Sequence, residues 1–264
     1  MKRIWMFTFV VIFCLLENVK VYAGEAASME NFQDIVDTTD HIYTFAEMEC
    51  DIAELVAKYP DFITCSVIGK SLDSRNIWQI VIGNPQAPKA IHIQAGIHGR
   101  EWMNCWMLMK QVEEILKNRD TPLVNGVSYG TILEQCAVYI MPMVNPDGVT
   151  ISQVGIEGIV NEGLRYNLYH MKGALYFDIG QQGELRNQGF ELAVFVNQIT
   201  GYNFEEYSEV HGLDYNWIIF DQNTPTVLIE TGTVPCPLPY SQWNCIWNRN
   251  KDLIMLLALN YAYK

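Results

Sequence analysis

The stretch Ala90-Ile-His-Ile-Gln-Ala-Gly96-Ile-His98-Gly-Arg-Glu101-Trp102 constrains this chain more than any other. Residues 90–95 are an apolar run of strand character that ends at Gly96, and apolar residues at helical spacing follow over 101–118. A strand delivered directly into a helix is the building unit of an α/β fold. The same stretch sets His98 and Glu101 three residues apart where the helix begins. That spacing offers one imidazole nitrogen and one carboxylate to a single zinc ion, as in two-His, one-Glu hydrolytic sites. A bare His-x-x-Glu pair equally describes a solvated helix face, so its weight comes from the other segments.

Those segments repeat the alternation. Thr44-Phe-Ala-Glu47 is a capping box that predicts a helix to Lys58, closed by Tyr59-Pro60. Residues 63–68 and 76–82 are rich in β-branched residues and read as strands. Residues 136–144 form a nearly continuous apolar run, the mark of a strand buried on both faces. Asn145-Pro-Asp-Gly148 reads as a turn. Beyond it come short strands at 164–169 and 175–178, a helix at 186–200, a buried strand at 226–230 and a closing helix at 241–261. The expected class is α/β, with a mixed, mostly buried β-sheet flanked by helices in an α/β/α sandwich. In such folds chemistry collects where strands end.

The start of the chain reads as a secretory signal. Lys2 and Arg3 precede thirteen apolar residues at 4–16, and Val21-Tyr22-Ala23 offers small-residue cleavage. The resulting organisation is a signal peptide at 1–23, a loose acidic leader at 24–40 and one domain at 41–264, secreted and without a membrane anchor after cleavage. Loss of Lys2, Arg3 and Lys20 together with Glu17 takes the net charge from −13 to −15. So acidic a protein excludes nucleic acid and anionic lipid surfaces as partners, and a monomer is expected. Six cysteines follow Ala23: Cys50, Cys65, Cys105, Cys136, Cys236 and Cys245. Cys65, Cys105 and Cys136 sit in apolar runs and read as core. Cys236 and Cys245, either side of a proline-rich loop, are the first pair to expect as a disulfide outside the cell.

Two more residues carry chemistry. His170 in Tyr169-His-Met-Lys-Gly173 follows a short strand, and Glu230 in Val227-Leu-Ile-Glu-Thr-Gly232 ends an apolar one. A carboxylate there is costly to bury unless it has a partner. In order and spacing, these segments resemble the zinc carboxypeptidases of the carboxypeptidase A type. The likeness is nearest to their secreted bacterial members, some of which cut peptidoglycan stem peptides. His98-Gly-Arg-Glu101-Trp102 is similar to the family's first zinc motif, Asn145-Pro-Asp-Gly148 to the segment after its central strand, and Asn216-Trp217 to its Asp-Trp. Tyr43-Thr-Phe45 and the segment from Gly69 to Trp78 share the likeness, which covers roughly residues 41–264.

The resemblance implies one Zn²⁺ per chain held by His98, Glu101 and His170, with a water at the open position. It implies Glu230 as the general base and a peptide substrate, of which a cell-wall stem peptide is one form. Arg100 would bind a substrate carboxylate or carbonyl, although an ion pair with Glu113 or Glu114 fits its position equally. Tyr207 would close over the substrate, with Tyr202 as its competitor. The chain departs from the family between Asn145 and His170. Only 25 residue steps lie there, Arg165 is the single Arg, and the Asn-Arg pair that grips a terminal carboxylate is missing. This reads as a deletion that weakens exopeptidase turnover. The other outcome is a catalytically dead member of the family that binds peptide or cell wall. A Ser or Cys hydrolase finds no nucleophile elbow or paired base in the sequence.

Overall fold

The computed structural model describes residues 34–155, 175–178, 183–207 and 224–264. Helix α1 spans Phe45–Lys58, and both halves of the capping box are made: Thr44 accepts from the Glu47 N–H, and the Glu47 side chain accepts from the Thr44 N–H. Strands β1 (Ile63–Lys70), β2 (Asn76–Ile82) and β3 (Lys89–Gln94) follow, then a 3-10 turn at Gly99–Glu101 that runs into α2 (Trp102–Lys117). Two segments carry no clear periodicity in the sequence: a small hairpin of β4 (Pro122–Val124) and β5 (Val127–Ser128), and α3 (Tyr129–Gln135). Strand β6 (Cys136–Met141) and α4 (Pro146–Val154) complete this half.

The main sheet has the order β1-β2-β6-β3, with β6 antiparallel to β2 and parallel to β3. Strand β6 is the apolar run of the sequence, and its central position explains why Cys136, Ala137, Val138 and Ile140 are all buried. Helix α2 is the most buried helix and contributes Met103, Cys105, Trp106, Met109 and Val112 to the core. Around Trp106 the rings of Tyr43, Tyr240 and Trp243 gather, with Trp243 at 4.3 Å between centroids.

In the second half, β7 (Leu175–Asp178) pairs parallel with β8 (Phe204–Tyr207) and antiparallel with β9 (Leu228–Ile229), and α5 spans Gly183–Thr200. The expected closing helix is two helices, α6 (Trp243–Asn250) and α7 (Leu253–Ala262), divided by a turn at Lys251 and Asp252. The expected strand at 164–169 lies outside the described residues.

Two expectations need correction. Residues 35–40 do not belong to a loose leader. Val36 is fully buried, the Trp106 indole donates to the Asp37 carbonyl at 2.7 Å, and the Tyr240 hydroxyl donates to the Thr38 carbonyl at 2.8 Å. An acidic run in sequence hides the two apolar residues, Ile35 and Val36, that anchor it. Cys236 and Cys245 form no disulfide either. Cys236 is buried and Cys245 faces solvent on α6, and all six described cysteines are free thiols. Cys105 and Cys136 are buried as expected, and Cys65 is half-buried.

Candidate metal centre

Parallel pairing of β3 with β6 places their C-terminal ends side by side, which is where a crossover sheet offers loops to a ligand. The two departing loops are bonded to each other. Ala95 N–H donates to the Met141 carbonyl, Val144 N–H to the Ala95 carbonyl, both at 3.0 Å, and Asn145 N–H to the Gly96 carbonyl at 3.2 Å. The Asn145 carboxamide then acts in two directions. Its Nδ2 donates to the Ile97 carbonyl at 3.0 Å, and its Oδ1 accepts the Gly148 N–H at 2.9 Å.

Asn145-Pro-Asp-Gly148 is therefore not the free turn expected from its composition but the start of α4, with Asn145 as N-cap and Pro146 in the first turn. Turn formers and helix caps are the same residue types, so composition does not separate the two outcomes. Gly99 shows how close the approach is: a Cβ there would run into the Gly148 carbonyl, and the Ser152 hydroxyl donates to the Gly99 carbonyl at 2.7 Å. The loop bearing His98 and Glu101 is thus clamped between the strand end and α4.

Within that loop His98 Nδ1 lies 2.9 Å and 3.0 Å from the two carboxylate oxygens of Glu101. Glu230, one residue past β9, reaches the same point from the other half of the chain. One donor atom each from His98, Glu101 and Glu230 lie within 4.8 Å of one another, and the three residues are only 6%, 6% and 2% exposed. Glu230 Oε1 is buried without a hydrogen-bond partner among the described residues. Two carboxylates packed beside one imidazole, away from water, are an arrangement that a bound cation or a retained proton makes favourable.

The electrostatics agree. The Glu230 carboxyl is pushed up to about 8, first by burial and then by the negative charge of Glu101, against the opposing effect of His98. Cys236 belongs to the same neighbourhood. Burial raises its thiol to about 12, with Glu101 and Glu230 adding to the rise and Arg100 opposing it. The donor set suits zinc, which takes imidazole nitrogen and carboxylate oxygen in a closed-off pocket and keeps a position open for water.

The sequence-expected residues divide as follows. His98, Glu101 and Glu230 come together. Arg100 is half-buried and lies between His98 and Glu101 in the chain. The alternative partners of Arg100 are engaged elsewhere: Lys110 and Lys117 hold Glu113 at 2.8 and 3.1 Å and Glu114 at 3.1 and 3.5 Å. Tyr202 is buried and its hydroxyl accepts from Asn250 Nδ2 at 2.9 Å, which makes it a structural residue and removes it as a substrate-closing tyrosine. Tyr207 ends β8, with its side chain outside what the structure describes. His170, Asn216 and Trp217 lie outside the described residues.

Three further residues around the centre were given no role of their own in the sequence. Asp147 ties α4 to the β1–β2 turn, accepting from Ser71 Oγ, the Asp73 N–H and Arg75. Asn104 and Thr231 join α2 to the Glu230 segment through a hydrogen bond. Asn104 was within reach of helical spacing, since it follows Glu101 by three residues.

Residues 48–169 match the family described as zinc carboxypeptidase. Among curated proteins, a gamma-D-glutamyl-L-diamino acid endopeptidase 1 from Lysinibacillus sphaericus is 34% identical over 110 residues, which is 41% of this chain and 27% of that protein. Carboxypeptidase B of Rattus norvegicus is 29% identical over 139 residues, 51% of this chain and 31% of that protein. The chain thus spans under a third of the length of these curated relatives. Among solved structures, the thrombin activatable fibrinolysis inhibitor has the same fold, with a TM-score of 0.68 at 14% identity over 88% of this chain and 80% of that one.

Proposed function

We propose, from the premise that this chain is a member of the zinc carboxypeptidase family, that it is a secreted metallopeptidase hydrolysing peptide bonds with one Zn²⁺ per chain. The observation that carries the reading is the buried group of His98, Glu101 and Glu230, with Glu230 Oε1 unpartnered among the described residues. His98 and Glu101 would hold the ion, and His170 is proposed as the third ligand. A bound zinc ion supplies Lewis acidity, which brings an attacking water towards a pKa of about 7 and polarises a carbonyl.

Glu230 accepts the proton of that water and later returns it to the leaving amine. Its burial favours the role, because a carboxylate stripped of water is a stronger base than an exposed one. Arg100, adjacent in the chain to the ligands, would orient the substrate through a carbonyl or carboxylate oxygen, and Tyr207 would cover it.

The missing Asn-Arg pair between Asn145 and His170 bears on the substrate. Without a clamp for a terminal carboxylate, preference for a free C-terminus is lost, and one oxyanion donor fewer costs on the order of 10²–10³ in turnover. One relative is named as a gamma-D-glutamyl-L-diamino acid endopeptidase, a name that denotes cleavage within a chain. A cell-wall stem peptide cut internally therefore fits this chain better than a C-terminal residue. The same missing pair favours a second reading, a catalytically dead relative that binds such peptides.

The deciding experiment measures zinc content and peptide hydrolysis of the cleaved protein, with and without a chelator, beside Glu230→Gln. The expected result is one zinc per chain, chelator-sensitive hydrolysis and loss of nearly all turnover in Glu230→Gln with its metal retained. Zinc without hydrolysis supports the binding protein. A folded sample that holds no zinc removes both.

A further inference from the structure

Glu230 is held by little of its own strand. Strand β9 is two residues long and its last paired residue is Ile229, opposite Leu175. Glu230 therefore lies past the last register pair. Gly232, two residues on, has φ +85° and a Cβ there would meet Leu238 at 2.7 Å, so the chain turns sharply away. Between Glu230 and that turn stands Thr231, which is 5% exposed and donates its hydroxyl to Asn104 Oδ1.

Asn104 belongs to the first turn of α2, three residues beyond Glu101, which closes the 3-10 turn leading into that helix. The hydrogen bond spans 127 residues of sequence and connects the residue after Glu230 to the helix that starts directly after Glu101. The next anchor of this segment, from Thr233 N–H and Oγ1 to Gln242 Oε1 at 3.3 and 3.0 Å, reaches the turn before α6 and not the ligand helix. Among the hydrogen bonds of the described residues, the Asn104–Thr231 bond is thus the one linking the two halves of the centre beside Glu230.

We infer that Asn104 and Thr231 are positioning residues that set the Glu230 carboxylate against the metal ligands His98 and Glu101. Neither touches the reacting atoms. Their hydrogen bond fixes the distance between α2 and the end of β9, and Glu230 inherits its place from that distance. Proton transfer needs its partners within hydrogen-bond reach, and a displacement of about 1 Å in a supporting shell lowers turnover on the order of 10²-fold. This inference rests on Glu230 being the proton acceptor, as proposed above.

The test compares Thr231→Val, Thr231→Ser, Asn104→Ala and Glu230→Gln in the full cleaved chain. It reads kcat, KM, zinc content and melting temperature, and the visible absorption bands of the cobalt-substituted proteins. The expected Thr231→Val result is a kcat lowered by about 10- to 100-fold, with KM within about twofold and zinc retained. Thr231→Ser restores kcat, Asn104→Ala matches Thr231→Val, and the cobalt bands of both move in the direction seen for Glu230→Gln.

Unchanged kcat and cobalt bands in Thr231→Val, beside changed ones in Glu230→Gln, overturn the inference alone. So does a folded Thr231→Val that loses its metal, since the residue would then support the ligands and not the base. Wild-type turnover in Glu230→Gln, with unchanged bands, removes the role of Glu230 and the inference with it. If the chain turns over no peptide, the cobalt bands decide by themselves.

Discussion

Arg75 lies 2.6 Å from Asp147 although 72 residues separate them, and the pair joins the turn between β1 and β2 to the first turn of α4. Asp147 is 5% exposed and also accepts from Ser71 Oγ at 2.7 Å and the Asp73 N–H at 3.0 Å. Two residues before it, Asn145 grips the loop that bears His98. The ion pair therefore supports, through Asn145, the loop that carries His98 and Glu101.

Replacing Arg75 by Leu leaves the Asp147 charge buried with part of its support gone. Breaking a buried pair by removing one partner costs about 3–5 kcal/mol, and partial exposure of the arginine points to the lower end. We expect Arg75→Leu to lose about 3 kcal/mol in urea unfolding, and to bind zinc more weakly. Arg75→Leu combined with Asp147→Asn should recover part of the loss, because residue 147 then carries no charge, while Asp73 still lacks its bond from Arg75. A double variant as unstable as the single one would mean that the pair acts through shape and not through charge.

Asp51 on α1 predicts a pH dependence of stability. It is 6% exposed, the buried Tyr43 hydroxyl donates to it at 2.6 Å, and burial pushes its carboxyl up to about 7. The Tyr43 hydrogen bond opposes that rise, and the charges of Glu47, Glu54 and Glu113 add to it. The folded state therefore holds this proton more tightly than the unfolded chain, where Asp keeps its usual 3.8. The stabilisation is fully present below about 3.8 and is lost as pH rises through about 7. Relative to Asp51→Asn, which keeps the acceptor and has no charge, the wild type should lose about 2–3 kcal/mol between pH 5 and pH 8. Parallel stability curves for the two proteins would show that Asp51 keeps its ordinary acidity.

The α/β order, the capping box at Thr44 and the central strand at Cys136 were legible in the chain, because each depends on local pattern, and so were His98, Glu101 and Glu230 as candidate residues, which the fold brings together. Val36 was not, since two apolar residues in an acidic run acquire meaning only when Trp106 and Tyr240 close over them. The Asn145 segment was misread for a related reason: a turn and a helix cap share their residues, and only the reach of the carboxamide to Ile97 tells them apart. Asn104 and Thr231 are polar residues in ordinary surroundings until α2 and the end of β9 meet. What escaped the sequence is long-range pairing of side chains, which no periodicity encodes.

The cysteines separate the compartment expected from the leader from the bonding seen in the fold. Extracellular proteins of this size commonly close pairs of thiols, yet the six described cysteines are free and spread over α1, β1, α2, β6, the loop before α6 and α6 itself. Their reactivity should follow burial, because the thiolate is the nucleophile and burial suppresses it. The exposed Cys50 and Cys245 should react first with a maleimide in the native protein, and Cys65 more slowly. Burial raises the thiols of Cys136 and Cys236 to about 11 and about 12, and that of Cys105 higher still, so these three should label only on unfolding. Mass spectrometry of unreduced protein, native and in urea, counts the labels at each site. Six labels on these residues in urea are expected, and four would mean that two of the thiols are joined after all. Peptide mapping would then name the pair, and a Cys236–Cys245 bond would require the segment after Glu230 to pack differently from the arrangement described above.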